Sequence, residues 1–161
     1  MANEEISTAQ PKQARQVRVF LAEDNAADVW LVEEALKRQS IDFCLDVYST
    51  AEDAVNAALA CGKGDARVPD VMLVDFNLPR GDGHEILAAA ASNPNLDGIP
   101  RAVMSSFLRE EEMQQAVALG ASCVVPKPAS LDAFLTTVGT QVMDLLKVSA
   151  AQSGKRAAAR F

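Results

Sequence analysis

Four places in this chain put a chemically capable side chain directly after an apolar run. Glu23 and Asp24 follow Val17-Arg18-Val19-Phe20-Leu21-Ala22, and Asp75 follows Val71-Met72-Leu73-Val74. Ser105 follows Ala102-Val103-Met104, and Lys127 follows Val124-Val125-Pro126. If the runs are strands of one parallel sheet, all four endings meet at the carboxyl edge of that sheet, where open α/β sheets bind their ligands. Three carboxylates suit Mg²⁺, which takes a few carboxylate oxygens, keeps several waters and bridges to phosphate. A carboxylate at Asp75 is also a nucleophile for a phosphoryl group, provided the charge on that group is neutralised. Lys127 offers a compact positive charge for that purpose, and Ser105 a hydroxyl donor. Taken singly, a polar residue after a strand is more often a helix cap or a loop residue. The joint placement of five favours a magnesium and phosphoryl site.

The elements that must position these groups follow from the hydropathic pattern. From Val17 onward, apolar runs of strand length alternate with stretches whose apolar residues recur at helical spacing, the signature of βα units. Five units are expected. Strands at Val17–Ala22, Phe43–Tyr48, Asp70–Asp75, Arg101–Ser105 and Ser122–Val125 alternate with helices near 26–39, 51–61, 84–91, 110–119 and 130–148. Asn25 is the expected cap of the first helix, with Asp28 in its first turn, and Gly120 ends the fourth. Pro126 cannot donate to a sheet ladder, so the fifth strand belongs at an edge. The acids come from the first and third strands, which in the order 2-1-3-4-5 flank the point where the crossover direction reverses.

The 161 residues fit one domain, and an apolar fraction of 49% suffices for a core. Residues 1–16 are polar and expected to be a disordered tail, residues 17–148 the folded domain, and 149–161 a tail or an extension of the last helix. A net charge of −7 argues against a nucleic-acid surface and points to protein partners. No stretch has the length of a signal peptide core or a membrane span, so a cytoplasmic protein is expected. Cys44, Cys61 and Cys123 lack metal-ligand spacing and fit a reducing compartment as small core residues. His84 is expected in an exposed loop without a role, Ser106 as a helix cap, and Trp30 and Phe134 as packing residues.

The motifs Phe20-Leu21-Ala22-Glu23-Asp24-Asn25, Val74-Asp75-Phe76-Asn77-Leu78-Pro79-Arg80-Gly81-Asp82-Gly83, Val103-Met104-Ser105-Ser106 and Leu119-Gly120-Ala121 leading to Lys127-Pro128 resemble the receiver domain of bacterial two-component response regulators. Asn25-Ala26-Ala27-Asp28-Val29 and Asn77-Leu78-Pro79-Arg80 are most similar to the single-domain regulators that accompany bacterial phytochrome kinases. The resemblance implies a flavodoxin-like (βα)5 fold with helices on both faces of the sheet. It also implies phosphoryl transfer to Asp75 from the phosphohistidine of a sensor histidine kinase, a bacteriophytochrome among the candidates, or from a phosphotransfer protein. Mg²⁺ would be held by Asp24, Asp75 and the backbone carbonyl of Asn77, with Glu23 acting through water. Ser105 and Lys127 would hold the phosphoryl group, and the Lys127–Pro128 bond would be cis. Such a protein is a phosphoacceptor rather than an enzyme, signalling through changed contacts or a homodimer built on the fourth helix, fifth strand and fifth helix. The chain departs from the family in having Val124 where an aromatic switch residue usually stands, three residues before the lysine, and in placing Pro126 directly before Lys127. Two other readings compete: a phosphorylation-independent scaffold, and an aspartyl-nucleophile phosphohydrolase, which usually carries a second acid where this chain has Asn77.

Overall fold

The computed structural model describes residues 15–158, with side chains of the last helix described to Gln152. Of the expected tail at residues 1–16, residues 1–14 lie outside the described residues, as do residues 159–161, while Arg15 and Gln16 hydrogen-bond to Asp70 and Asp42. Five strands, β1 (Val17–Ala22), β2 (Phe43–Tyr48), β3 (Val71–Asp75), β4 (Arg101–Ser105) and β5 (Cys123–Pro126), form one parallel sheet in the order β2-β1-β3-β4-β5. Five helices alternate with them: α1 (Ala26–Arg38), α2 (Ala51–Ala60), α3 (Gly83–Ser92), α4 (Glu110–Ala118) and α5 (Leu131–Ala158). The expected topology and the edge position of β5 are what the structure shows. The last helix runs past the expected Val148 to Ala158.

Successive residues of a strand point to opposite faces, so each central strand supplies two cores. Val19, Leu21, Val71, Leu73, Ala102 and Met104 meet Val32 and Leu36 of α1 and Phe134, Leu135, Val138 and Val142 of α5. Phe20, Ala22, Met72 and Val74 face Ala51, Ala54 and Ala58 of α2 and Ile86 and Ala90 of α3. Val103 joins Phe76, Leu87, Ala116 and Ala121 under α4. Where α5 crosses α1, a methyl group on Gly139 would stand 3.0 Å from the Ala35 carbonyl oxygen, so glycine sets the closeness of the two helices.

Two buried polar residues hold the amino-terminal side of the sheet. Arg101 donates from Nη2 to the carbonyls of Leu96 (3.0 Å) and Ala90 (3.3 Å), satisfying the end of α3 and the short 3-10 turn Pro94–Leu96. Asn93 donates from Nδ2 to the carbonyls of Ala58 (2.8 Å) and Cys61 (3.0 Å), while its Oδ1 accepts from Asn95 N–H. Because Asn93 is 3% exposed, no water replaces these bonds on truncation. Asn93→Ala is therefore expected to cost roughly 2–3 kcal/mol, read as a lower urea midpoint with an unchanged slope.

Three local expectations are corrected. Helix α4 starts at Glu110 with Arg109 as its cap residue, whose N–H is met by the Glu112 carboxylate at 2.9 Å, so Ser106 caps nothing. His84 lies in the first turn of α3 rather than in an exposed loop; its ring packs edge-on against Phe76 with centroids 4.5 Å apart. Its Nε2 is buried without a hydrogen-bond partner. No peptide bond among the described residues is cis, so Lys127–Pro128 is trans. Phe134 is buried as expected, whereas Trp30 is half exposed on α1. The three cysteines are free thiols, and burial pushes those of Cys61 and Cys123 up. No helix among the described residues is long and apolar enough to cross a membrane.

Candidate phosphoacceptor site

Strand register alone brings the acids together. Ala22 lies opposite Val74, so Glu23 and Asp75, one residue further on, are neighbours across the first and third strands. Asp75 pairs with Met104, and Ser105 pairs with Pro126, which delivers Lys127 to the same edge. The Lys127 N–H completes the alignment by donating to the Ser105 carbonyl at 2.8 Å. At the start of α1, Asn25 Oδ1 accepts from the Ala27 N–H, as expected of a cap, and turns the chain so that Glu23 and Asp24 precede the helix.

The Lys127 ammonium sits among three carboxylates. It donates to Glu23 Oε2 at 2.6 Å, Asp75 Oδ2 at 2.9 Å and Asp28 Oδ2 at 3.0 Å. The other oxygens of the two buried acids are each fixed by the backbone two residues on: Asn25 N–H donates to Glu23 Oε1 and Asn77 N–H to Asp75 Oδ1, both at 3.1 Å. Asp24 is exposed at the rim. One carboxylate oxygen each from Glu23, Asp24 and Asp75 lies within 4.8 Å of the others, a hard oxygen donor set that fits a divalent cation.

The charges are unbalanced. Three carboxylates, Glu23, Asp28 and Asp75, share one ammonium, and Asp24 stands beside Glu23 and Asp75. Burial pushes the Glu23 carboxyl up to about 7, helped by the nearby Asp75 charge and opposed by the hydrogen bonds from Lys127 and Asn25. For Lys127, burial acts to lower its pKa, but the hydrogen bonds to Glu23, Asp75 and Asp28 outweigh it, and the group is held above the ordinary lysine value. The ammonium therefore stays charged, and a pocket with more acids than cations is one a divalent cation can complete.

Ser105 is buried at the same edge, but its hydroxyl is engaged elsewhere: Oγ donates to the Phe107 carbonyl at 2.7 Å and accepts from the Phe107 N–H at 3.2 Å. Asn77 is exposed, its side chain making no hydrogen bond among the described residues, and its backbone N–H serves Asp75. Val124 packs partly buried beneath α4, beside the cluster of Phe76, Val103 and Ala116. Asp28 was legible only as a first-turn acid. Its signal was position: in the first turn of α1, just after the Asn25 cap, it lies close to the same sheet edge as Glu23 and Asp24.

A parallel 2-1-3-4-5 sheet carrying this acidic pocket and lysine defines a class, and the chain belongs to it: residues 19–139 match the response regulator receiver domain. Response regulator Rcp1 of Synechocystis sp. is 32% identical over 125 residues, covering 76% of this chain and 85% of that protein. Among solved structures, the phosphorylated cyanobacterial phytochrome response regulator RcpA superposes with a TM-score of 0.71 at 31% identity, over 78% of this chain and 91% of that one. The Mn²⁺-bound form of Rcp1 gives a TM-score of 0.68 at 30% identity, over 77% and 90%. Receiver domains accept phosphoryl groups from histidine kinases, and this chain is a receiver-domain signalling protein close to those single-domain regulators.

Proposed function

We propose that this protein is a phosphoacceptor that takes a phosphoryl group on Asp75 from a sensor histidine kinase, of the phytochrome-linked kind by similarity to Rcp1 and RcpA, and that Mg²⁺ is the cation its acids hold. The observation that carries the reading is the Lys127 ammonium on Asp75 Oδ2 beside two further acids at the carboxyl edge of the sheet. Glu23, Asp24, Asp75 and the Asn77 carbonyl are the groups to hold the cation. When bound, the cation supplies charge neutralisation at the transferring phosphoryl group.

The remaining chemistry belongs to the chain. Asn77 N–H holds Asp75 Oδ1, which leaves Oδ2 to attack phosphorus. As the Oδ2–P bond forms, the P–N bond of the donor phosphohistidine breaks and its electron pair returns to the imidazole. Lys127, already on Oδ2, follows the charge onto the phosphoryl oxygens. Ser105 reaches that group only by releasing the Phe107 carbonyl, so phosphorylation is coupled to the loop between β4 and α4, where Phe107 is 76% exposed. A group carrying about −1.5 to −2 charges is enough to bias such a loop. Output is through protein contacts, including a homodimer on α4, β5 and α5, in a cytoplasmic setting and without enzymatic turnover of other substrates.

The test is intact mass after incubation with acetyl phosphate, with and without Mg²⁺, followed by label transfer from an autophosphorylated phytochrome-linked kinase. A magnesium-dependent gain of one phosphoryl group is expected, and no gain in either assay overturns the reading. Ser105→Ala is expected to accept the group yet leave the amide resonances of residues 106–109 where they were, because its link to Phe107 is gone. Amide spectra before and after phosphorylation measure this, and wild-type-like shifts in the variant would remove Ser105 from the coupling.

A further inference from the structure

Asp28 stands in the site without being one of the three acids gathered to hold a cation. It nonetheless binds the Lys127 ammonium at 3.0 Å, close to the distances made by Glu23 and Asp75. The other two contacts have a cost. Glu23 and Asp75 each have one oxygen held by a backbone N–H and the other held by Lys127, so the lysine competes with a cation for these carboxylates. A divalent cation and the ammonium on the same carboxylates would repel each other and compete for their lone pairs. The Lys127 side chain is 8% exposed, and an ammonium with no counter-ion there would be left desolvated and unpaired.

Asp28 resolves the conflict by its place in the fold. It lies in the first turn of α1, outside the group of Glu23, Asp24 and Asp75, and its side chain is 22% exposed, so it can face Lys127 without taking part in the cation site. Resting on the reading above, we propose that Asp28 is a positioning residue: it is the counter-ion that keeps Lys127 in the site while the ammonium yields Glu23 and Asp75 to the divalent cation. It thereby sets cation affinity without being a ligand. Held on Asp28, the lysine stays beside Asp75 and can move onto the phosphoryl oxygens when that group arrives.

The distinguishing feature is dependence on Lys127. An acid acting only as a distant negative charge would attract the cation equally whether or not the lysine is present. The experiment is a double-mutant cycle, titrating MgCl₂ calorimetrically into wild type, Asp28→Asn, Lys127→Gln and the double variant, with Asp28→Glu as the conservative control and thermal melts to establish folding. Asp28→Asn is expected to bind Mg²⁺ about fivefold more weakly than wild type, the scale of a partly exposed ion pair. In the Lys127→Gln background the same change should have a clearly smaller effect, and Asp28→Glu should restore most of the affinity. Equal effects in both backgrounds, or no effect in wild type, overturn the proposal while leaving the phosphoacceptor reading intact. Absence of Mg²⁺ binding by wild type overturns both.

Discussion

Asp75→Asn should stay at its unphosphorylated mass under conditions in which the wild type gains one phosphoryl group, a loss limited only by detection. The substitution keeps the shape of the side chain but replaces the nucleophilic oxygen with an amide, so no acyl phosphate forms. The fold should survive. Asn accommodates the Asn77 N–H through its own oxygen, and the Lys127 ammonium retains Glu23 and Asp28. Melting of the variant within a few degrees of wild type would show that the loss is chemical. A residual phosphorylated species in Asp75→Asn would identify a second acceptor, and mapping by peptide mass would find it among the neighbouring acids.

The second large effect is on stability. Lys127→Met is expected to destabilise the protein by about 3–5 kcal/mol at pH 8, because it leaves Glu23 and Asp75, with side chains 0% and 9% exposed, without their cation. The pH dependence has a definite sign. In the folded protein the Glu23 carboxyl sits at about 7 against an ordinary value of 4.5, so between those values the folded form holds more protons than the unfolded one. Stability from this group falls as pH rises through that window. Removing Lys127 takes away a hydrogen bond that lowers the Glu23 value, so the window extends further upward. The lysine's own contribution is present below its ordinary value of 10.5 and is lost only as strongly alkaline pH passes its raised folded value. The penalty of Lys127→Met should therefore shrink at pH 5.5, where Glu23 is protonated, and shrink again at pH 8 when MgCl₂ is added. Urea unfolding at the two pH values, with and without MgCl₂, measures both. Equal penalties at pH 5.5 and pH 8 would assign the loss to packing of the lysine stem.

These effects converge on a pocket in which one ammonium is shared among more carboxylates than it can neutralise. On the proposed reading the arrangement is poised: the acids take a cation while the lysine keeps Asp28 as its counter-ion. Ser105, held by Phe107, adds a second element that must change partners. The proposed phosphorylation would thus act on hydrogen bonds that exist before the phosphoryl group arrives.

Much of this was determined by the sequence. Alternating apolar runs and helical periodicities fix the βα order, because burying a two-faced parallel sheet requires helices on both sides. Pro126 marks the edge strand, and polar residues ending Val17–Ala22, Val71–Val74, Ala102–Met104 and Val124–Pro126 mark the functional edge, because a strand's end is set locally. Other features only the tertiary structure decided. The bond from Asp28 to Lys127 joins residues 99 positions apart, and no local pattern encodes such a pairing. The engagement of Ser105 with Phe107, the capping of α4 at Arg109 rather than Ser106, and the packing of His84 on Phe76 all depend on how neighbouring elements compete for the same groups. Sequence pattern places a side chain at an edge, because backbone periodicity and strand ends are local properties. Which partner that side chain takes is settled by charge, burial and distance once the sheet has closed.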